Sequence, residues 1–94
     1  MEIQHNKNNG GGIFFIEENG KQVAELEYVI RNENVLFIMH TGVKPEMEGK
    51  GIGKKLVDEA VAYAKDNQFK IKPLCQFAAK VMLHSDKYKD ILAS

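Results

Sequence analysis

Three glycines stand at alternate positions in the stretch Glu48-Gly49-Lys50-Gly51-Ile52-Gly53-Lys54, immediately ahead of an apolar run at helical spacing. Without a Cβ, glycine lets the backbone come close to a ligand, and the first amides of a helix, unpaired within it, point outward at the positive end of its dipole. Together they make a seat for a phosphate or pyrophosphate, with Lys50 and Lys54 as supporting cations. The same spacing also suits a helix start that uses glycine only for tight packing. Two further residues carry chemistry: His40, which closes an apolar run, and Cys75, the one cysteine. A thiol at a helix start beside an imidazole is the environment that lowers a thiol pKa and supplies a nucleophile with a base. The plain alternatives are a small core cysteine and a structural histidine.

Two better-known phosphate motifs do not fit. A Walker A loop needs Ser or Thr after Gly-Lys, whereas Gly53-Lys54 is followed by Lys55. A dinucleotide fingerprint needs G-x-G-x-x-G and an acidic residue at the end of the next parallel strand, where this chain has Pro73-Leu74. No His, Cys or Asp spacing resembles a metal site, so His5 and His84 read as surface or structural residues. Tyr28, Tyr63 and Tyr88 read as packing residues, with Tyr28 placed to border a pocket, and Lys70 and Lys72 as a solvated strand face.

The elements that must position these groups follow from the pattern of apolar residues. Residues 1–12 are polar and end in Gly10-Gly11-Gly12, which predicts a flexible lead-in through residue 11. Ile13–Ile16 is a strand closed by Asn19-Gly20, a pair suited to the two positive-φ positions of a type I′ hairpin turn. Along Lys21–Arg31, Ala24, Leu26, Tyr28 and Ile30 alternate with Glu25, Glu27 and Arg31, as in a half-solvated antiparallel strand. After a turn at Asn32-Glu33-Asn34, Val35–Met39 runs without a polar break and predicts a central strand covered on both faces. Ile52, Leu56, Val57, Ala60, Val61 and Ala64 predict a helix to about Asn67, and Phe69–Leu74 a further strand ended by Pro73. A strand-helix-strand connection makes those two strands parallel, with a right-handed crossover. Their carboxyl ends then share one edge with the amino end of the helix, which brings His40, Cys75 and the glycine turn together. A helix from Cys75 holding Phe77, Ala78, Val81 and Met82, and a last helical segment capped by Ser85 and holding Tyr88, Ile91 and Leu92, complete the chain.

Ninety-four residues make a single domain of mixed α/β class, with 44% apolar residues and 13 basic against 13 acidic side chains. The absence of a charge block argues against a nucleic-acid or membrane surface. One unpaired cysteine fits a reducing compartment, and no apolar run approaches the length of a membrane span, so the expectation is a cytoplasmic protein, monomeric or weakly homodimeric.

The run from Val43 to Leu56, VKPEMEGKGIGKKL, resembles motif A (Q/R-x-x-G-x-G/A) of the GNAT N-acetyltransferase superfamily. With His40-Thr41 and Pro73-Leu74-Cys75, residues Gly12 to about Ser85 are similar to its small single-domain members. The resemblance implies the acyl-CoA N-acyltransferase fold: an antiparallel meander, a parallel β-α-β unit and C-terminal helices. It implies acetyl-CoA as donor, with its pyrophosphate on the amides from Gly49 to Lys54, Ile52 included, and its pantetheine arm along the strand ending near Val43. It further suggests that Cys75 accepts the acetyl group with His40 as base, before transfer to an amine on a small molecule or protein. A non-catalytic CoA-binding or protein-interaction module is the alternative. Glu48 departs from the pattern, since an acidic side chain stands where Gln or Arg is expected and is unfavourable beside a pyrophosphate.

Overall fold

A computed structural model describes residues 2–93. Five strands, β1 (Gln4–Asn8), β2 (Gly11–Glu18), β3 (Lys21–Arg31), β4 (Val35–Val43) and β5 (Lys70–Pro73), lie in one sheet in the order of the chain. The first four form an antiparallel meander, and β5 pairs parallel to β4 after the crossover helix α1 (Ile52–Asp66). A shorter helix, α2 (Gln76–Leu83), follows β5. This is the expected mixed α/β arrangement.

The local chemistry explains the corners. Asn19 and Gly20 adopt φ of 54° and 78°, the two left-handed positions of a type I′ turn, and Glu18 pairs with Lys21 across it. At the other end of α1, Gln68 takes φ of 63°, so that its N–H reaches the Lys65 carbonyl and the Phe69 N–H reaches Ala64. That is a Schellman ending built on a non-glycine residue.

Two expectations are corrected. Residues 4–8, predicted outside the sheet, form β1 and pair with β2 from Gln4–Phe15 to Asn8–Gly11. The polar side chains hid this strand, because an edge strand needs only backbone partners and one anchor. The anchor is His5, whose ring stacks on Phe14 at 4.0 Å and whose Nε2 lies 2.6 Å from the Tyr28 hydroxyl. Burial lowers the pKa of His5, and the nearby Lys7 adds to the effect.

The second correction concerns β4. It is interior to the sheet, but covered on one face only: Leu36 and Ile38 are fully buried, whereas Val35 and Phe37 are half-buried and Met39 is exposed. The core joins Leu26, Tyr28, Leu36, Ile38 and Ile71 of the sheet to Leu56, Val57, Ala60 and Ala64 of α1 and to Ala78 and Met82 of α2. After α2 the chain makes a short 3-10 turn at Asp86–Tyr88, capped by Ser85, instead of a longer helix. It then pairs Leu92 beside Ile71, which closes the outer edge of β5 at that residue. Among the described residues, no helix is long and apolar enough to cross a membrane.

Candidate active site

Strand β4 sets the site through a single irregularity. Glu27 of β3 pairs with His40 and Tyr28 pairs with Ile38, so Met39 is an extra residue, a bulge. Beyond it, Thr41 lies opposite Leu26 and Val43 opposite Ala24, which puts both on the core face, while His40 and Gly42 fall on the other. Beside β4, strand β5 ends at Pro73, opposite Ile38. The Ile38 carbonyl accepts the N–H groups of both Leu74 (2.9 Å) and Cys75 (3.1 Å), after which the chain turns into α2. From that point β4 runs on paired with β3 alone.

The gap so opened is a cleft of about 330 Å³ lined by Thr41 and Val43 of β4, Met47 and Glu48 of the following turn, the glycine turn with the first residues of α1, and Phe77 of α2. Gly49 and Gly51 have φ of 83° and 72°, and a Cβ on either would meet nothing. Their role is therefore backbone conformation, which few other residues adopt at low cost. Gly53 differs: its Cβ would lie 2.6 Å from the Phe77 ring, so this glycine lets Phe77 pack on the first turn of α1.

Helix α1 begins with no side-chain cap and no acidic residue in its first turn, and its first internal hydrogen bond runs from the Lys55 N–H to the Gly51 carbonyl. The N–H groups of residues 49 through 54 donate to no group among the described residues. Six consecutive free amides at a helix amino terminus form a concave donor surface for an anion.

Of the residues expected at the site, Val43, Gly49, Gly51, Ile52, Gly53 and Lys54 line the cleft, whereas Lys50 is exposed in the turn and does not. The ammonium of Lys54 is held 3.2 Å from Asp58, whose carboxylate raises the lysine pKa. Asp58 also receives the Tyr88 hydroxyl at 2.6 Å and Lys87 at 3.4 Å. Burial alone would raise the Asp58 pKa, but these donors outweigh it and the net shift is downward.

Cys75 is the N-cap of α2. Its sulfur accepts the Ala78 N–H at 3.4 Å and lies 3.3 Å from Thr41 Oγ1, so Thr41 both touches the thiol and lines the cleft. The expected neighbour, His40, is turned to the opposite face of the sheet, where its Nε2 lies 2.9 Å from Glu25 Oε2 over Gly42. The bulge at Met39 is the reason: the shared edge of the crossover brings the two residues to the same end of the sheet, but the extra residue decides the face. Thr41, Met47 and Phe77 were not singled out for the site. Each lies within two residues of one that was, Thr41 after His40, Met47 before Gly49 and Phe77 after Cys75, and that proximity is the signal the sequence held.

Residues 13–91 match the family model described as GCN5-related N-acetyl-transferase. A GCN5-like protein of Staphylococcus aureus, named as an N-acetyltransferase and solved by NMR, is 34% identical, with a TM-score of 0.79 over 99% of this chain and 88% of that one. Larger relatives share the fold at lower identity. The ribosomal-protein-S18-alanine N-acetyltransferase of Escherichia coli is 15% identical, with a TM-score of 0.69 over 86% of this chain and 54% of its own. A protein of Bacillus anthracis, named as a streptothricin acetyltransferase and solved with acetyl coenzyme A, is 17% identical, with a TM-score of 0.64 over 82% of this chain and 46% of its own. This chain thus spans about half the length of those two larger enzymes. No match was found among the curated proteins. With the model covering most of the sequence and the staphylococcal structure nearly all of it, the chain belongs to the GCN5-related N-acetyltransferases, a family of acyltransferases.

Proposed function

We propose that this protein transfers the acetyl group of acetyl-CoA to an amine, through an acetyl-thioester on Cys75. The observation that carries the proposal is the row of free amides from residue 49 to 54 at one end of an apolar cleft, with Thr41 joining the other end to Cys75. The amides suit a pyrophosphate, and the apolar wall of Val43, Met47 and Phe77 suits the less polar arm that follows it. Membership in the family supports acetyl-CoA as the donor.

In the first step Cys75 Sγ, as thiolate, attacks the thioester carbonyl; the new C–S bond forms and CoA leaves as its own thiolate. The Ala78 N–H and the Thr41 hydroxyl orient the sulfur. In the second step a neutral amine attacks the acetyl carbonyl, Cys75 leaves as thiolate, and the amine proton passes to a base. The amine reaches Cys75 through the gap where β4 and β5 part, and His40, which borders that gap on the outer face and is oriented by Glu25, takes its proton.

Incubating the pure protein with acetyl-CoA and measuring its intact mass tests the proposal. One acetyl group should appear on the wild type and not on Cys75→Ala, while calorimetry shows CoA binding to both. Absence of both adduct and binding would sink the reading. Turnover by Cys75→Ala would remove only the covalent step.

A further inference from the structure

Both helices pack on one face of the sheet, and the other face is bare. Ile13 of β2, Val29 of β3 and Phe37 of β4 stand on it, half-buried and outside the core. Met39, the bulge residue, is 47% exposed, and Leu74, beside Cys75, is 54% exposed. Val29 pairs with Phe37, Ile13 lies diagonally from Val29 beside its own partner Glu27, and Met39 stands two residues beyond Phe37, so the four make an oblique apolar stripe from the second strand to the place where β4 and β5 part, with Lys72 of β5 beside Phe37. Glu25 and Glu27 of β3 border the stripe, and Glu25 carries His40. The molecule is only 19 Å through its thinnest dimension, a sheet and one helix layer. Among the described residues, no element rises from the bare face to enclose a small ligand.

From this juxtaposition we infer that the acceptor is an amine carried by a polypeptide, flanked by apolar residues, which lies across the bare face with its ammonium toward Glu25 and Glu27. The inference rests on the acetyl-transfer reading above. A small free amine gains affinity by being enclosed in a concave pocket, whereas the depression of about 340 Å³ between Ile13, Val29, Glu27 and Met39 is more open to solvent than the CoA cleft and lies along the apolar residues of this face. A peptide gains instead by covering an apolar stripe along its length, while the carboxylates steer and hold its charge. In transfer, the deprotonated amine forms the C–N bond, the C–S bond to Cys75 breaks, and the proton leaves through His40 to solvent.

The test compares three acceptors with the full chain and acetyl-CoA: short peptides with one lysine flanked by Phe or Leu, the same peptides with Ser flanks, and spermidine. The apolar-flanked peptides should show a kcat/KM at least about tenfold above the other two. Ile13→Asp, two strands away from β4, should lower that value about tenfold while Cys75 takes up its acetyl group at the wild-type rate. Ile13→Thr should shift it in the same direction by less, with thermal unfolding confirming that both variants fold. Equal or better use of spermidine or of Ser-flanked peptides overturns the inference, as does unchanged peptide transfer by Ile13→Asp. A dimer dissolved by Ile13→Asp without change in transfer also overturns it and assigns the face to a second copy. Formation of the Cys75 adduct with no transfer to any peptide overturns the acceptor assignment alone. Peptide transfer without the adduct removes the covalent step and leaves the acceptor assignment standing.

Discussion

Glu48 lines the cleft and immediately precedes the free amides that would receive a pyrophosphate. Like charges at that range repel, and an exposed pair is screened by salt. Glu48→Gln should therefore tighten CoA binding severalfold in calorimetry at low ionic strength, with the gain shrinking as salt is added. Unchanged affinity at low salt would mean that the side chain turns away from the ligand. Thr41 offers a second test at this scale. Its hydroxyl is the side-chain partner of the Cys75 sulfur, so Thr41→Val should slow acetyl uptake by Cys75 about tenfold, with CoA affinity nearly unchanged. Stopped mass spectrometry at short times measures the first, and calorimetry the second.

At the scale of elements, the start and end of α1 make the same demand for left-handed backbone and meet it differently. Gly51 meets the demand with glycine, and Gln68 meets it with a residue that pays a steric cost of about 1 kcal/mol. Gln68→Gly should accordingly raise stability by up to about 1 kcal/mol in thermal or denaturant unfolding, since the Schellman hydrogen bonds are kept. Gly53→Ala should act elsewhere: the added methyl displaces the half-exposed Phe77 ring from the cleft, so CoA affinity falls while stability changes little. The elements themselves were largely legible in the sequence. Alternation marked β3, helical spacing marked α1, and Asn19-Gly20 marked the hairpin. What escaped had no periodic signal. β1 is polar throughout because it needs only backbone partners and His5, and the bulge at Met39 leaves the strand as apolar as a regular one would be. For that reason the edge of the sheet that carries the site was readable, but the face on which His40 lies was not.

At the scale of the molecule, two buried or bridged titratable groups set how stability depends on pH. His5 has a folded pKa below its ordinary 6.5, so the unfolded chain takes up the proton more readily. Its contribution is present above about pH 6.5 and is lost as the pH falls through that value toward the folded pKa. Asp58 has a folded pKa below 3.8, so its contribution is present above that value and is lost as the pH falls through the folded pKa. Melting temperature should thus decline in two stages on acidification. His5→Gln should flatten the first stage and Asp58→Asn the second; a single stage unaffected by either would contradict the assignment. The core that these groups fasten is one layer thick on each side of its mid-plane, which is why a sheet face is left over for other use.

The order of strands in the sheet is the order of strands in the chain, and this bears on how quickly the molecule forms. Each strand finds its partner among its immediate successors, either across a tight turn or across one helix, and nothing must be threaded between strands already paired. Among the described residues the pairing of β4 with β5 reaches furthest along the chain, 35 residues from Val35 to Lys70, and the bridge of Leu92 to Ile71 spans 21. Low separation between partners speeds folding, so refolding from denaturant should be a single exponential on the order of milliseconds. The terminal bridge, formed last, should then be the first part to open in hydrogen exchange.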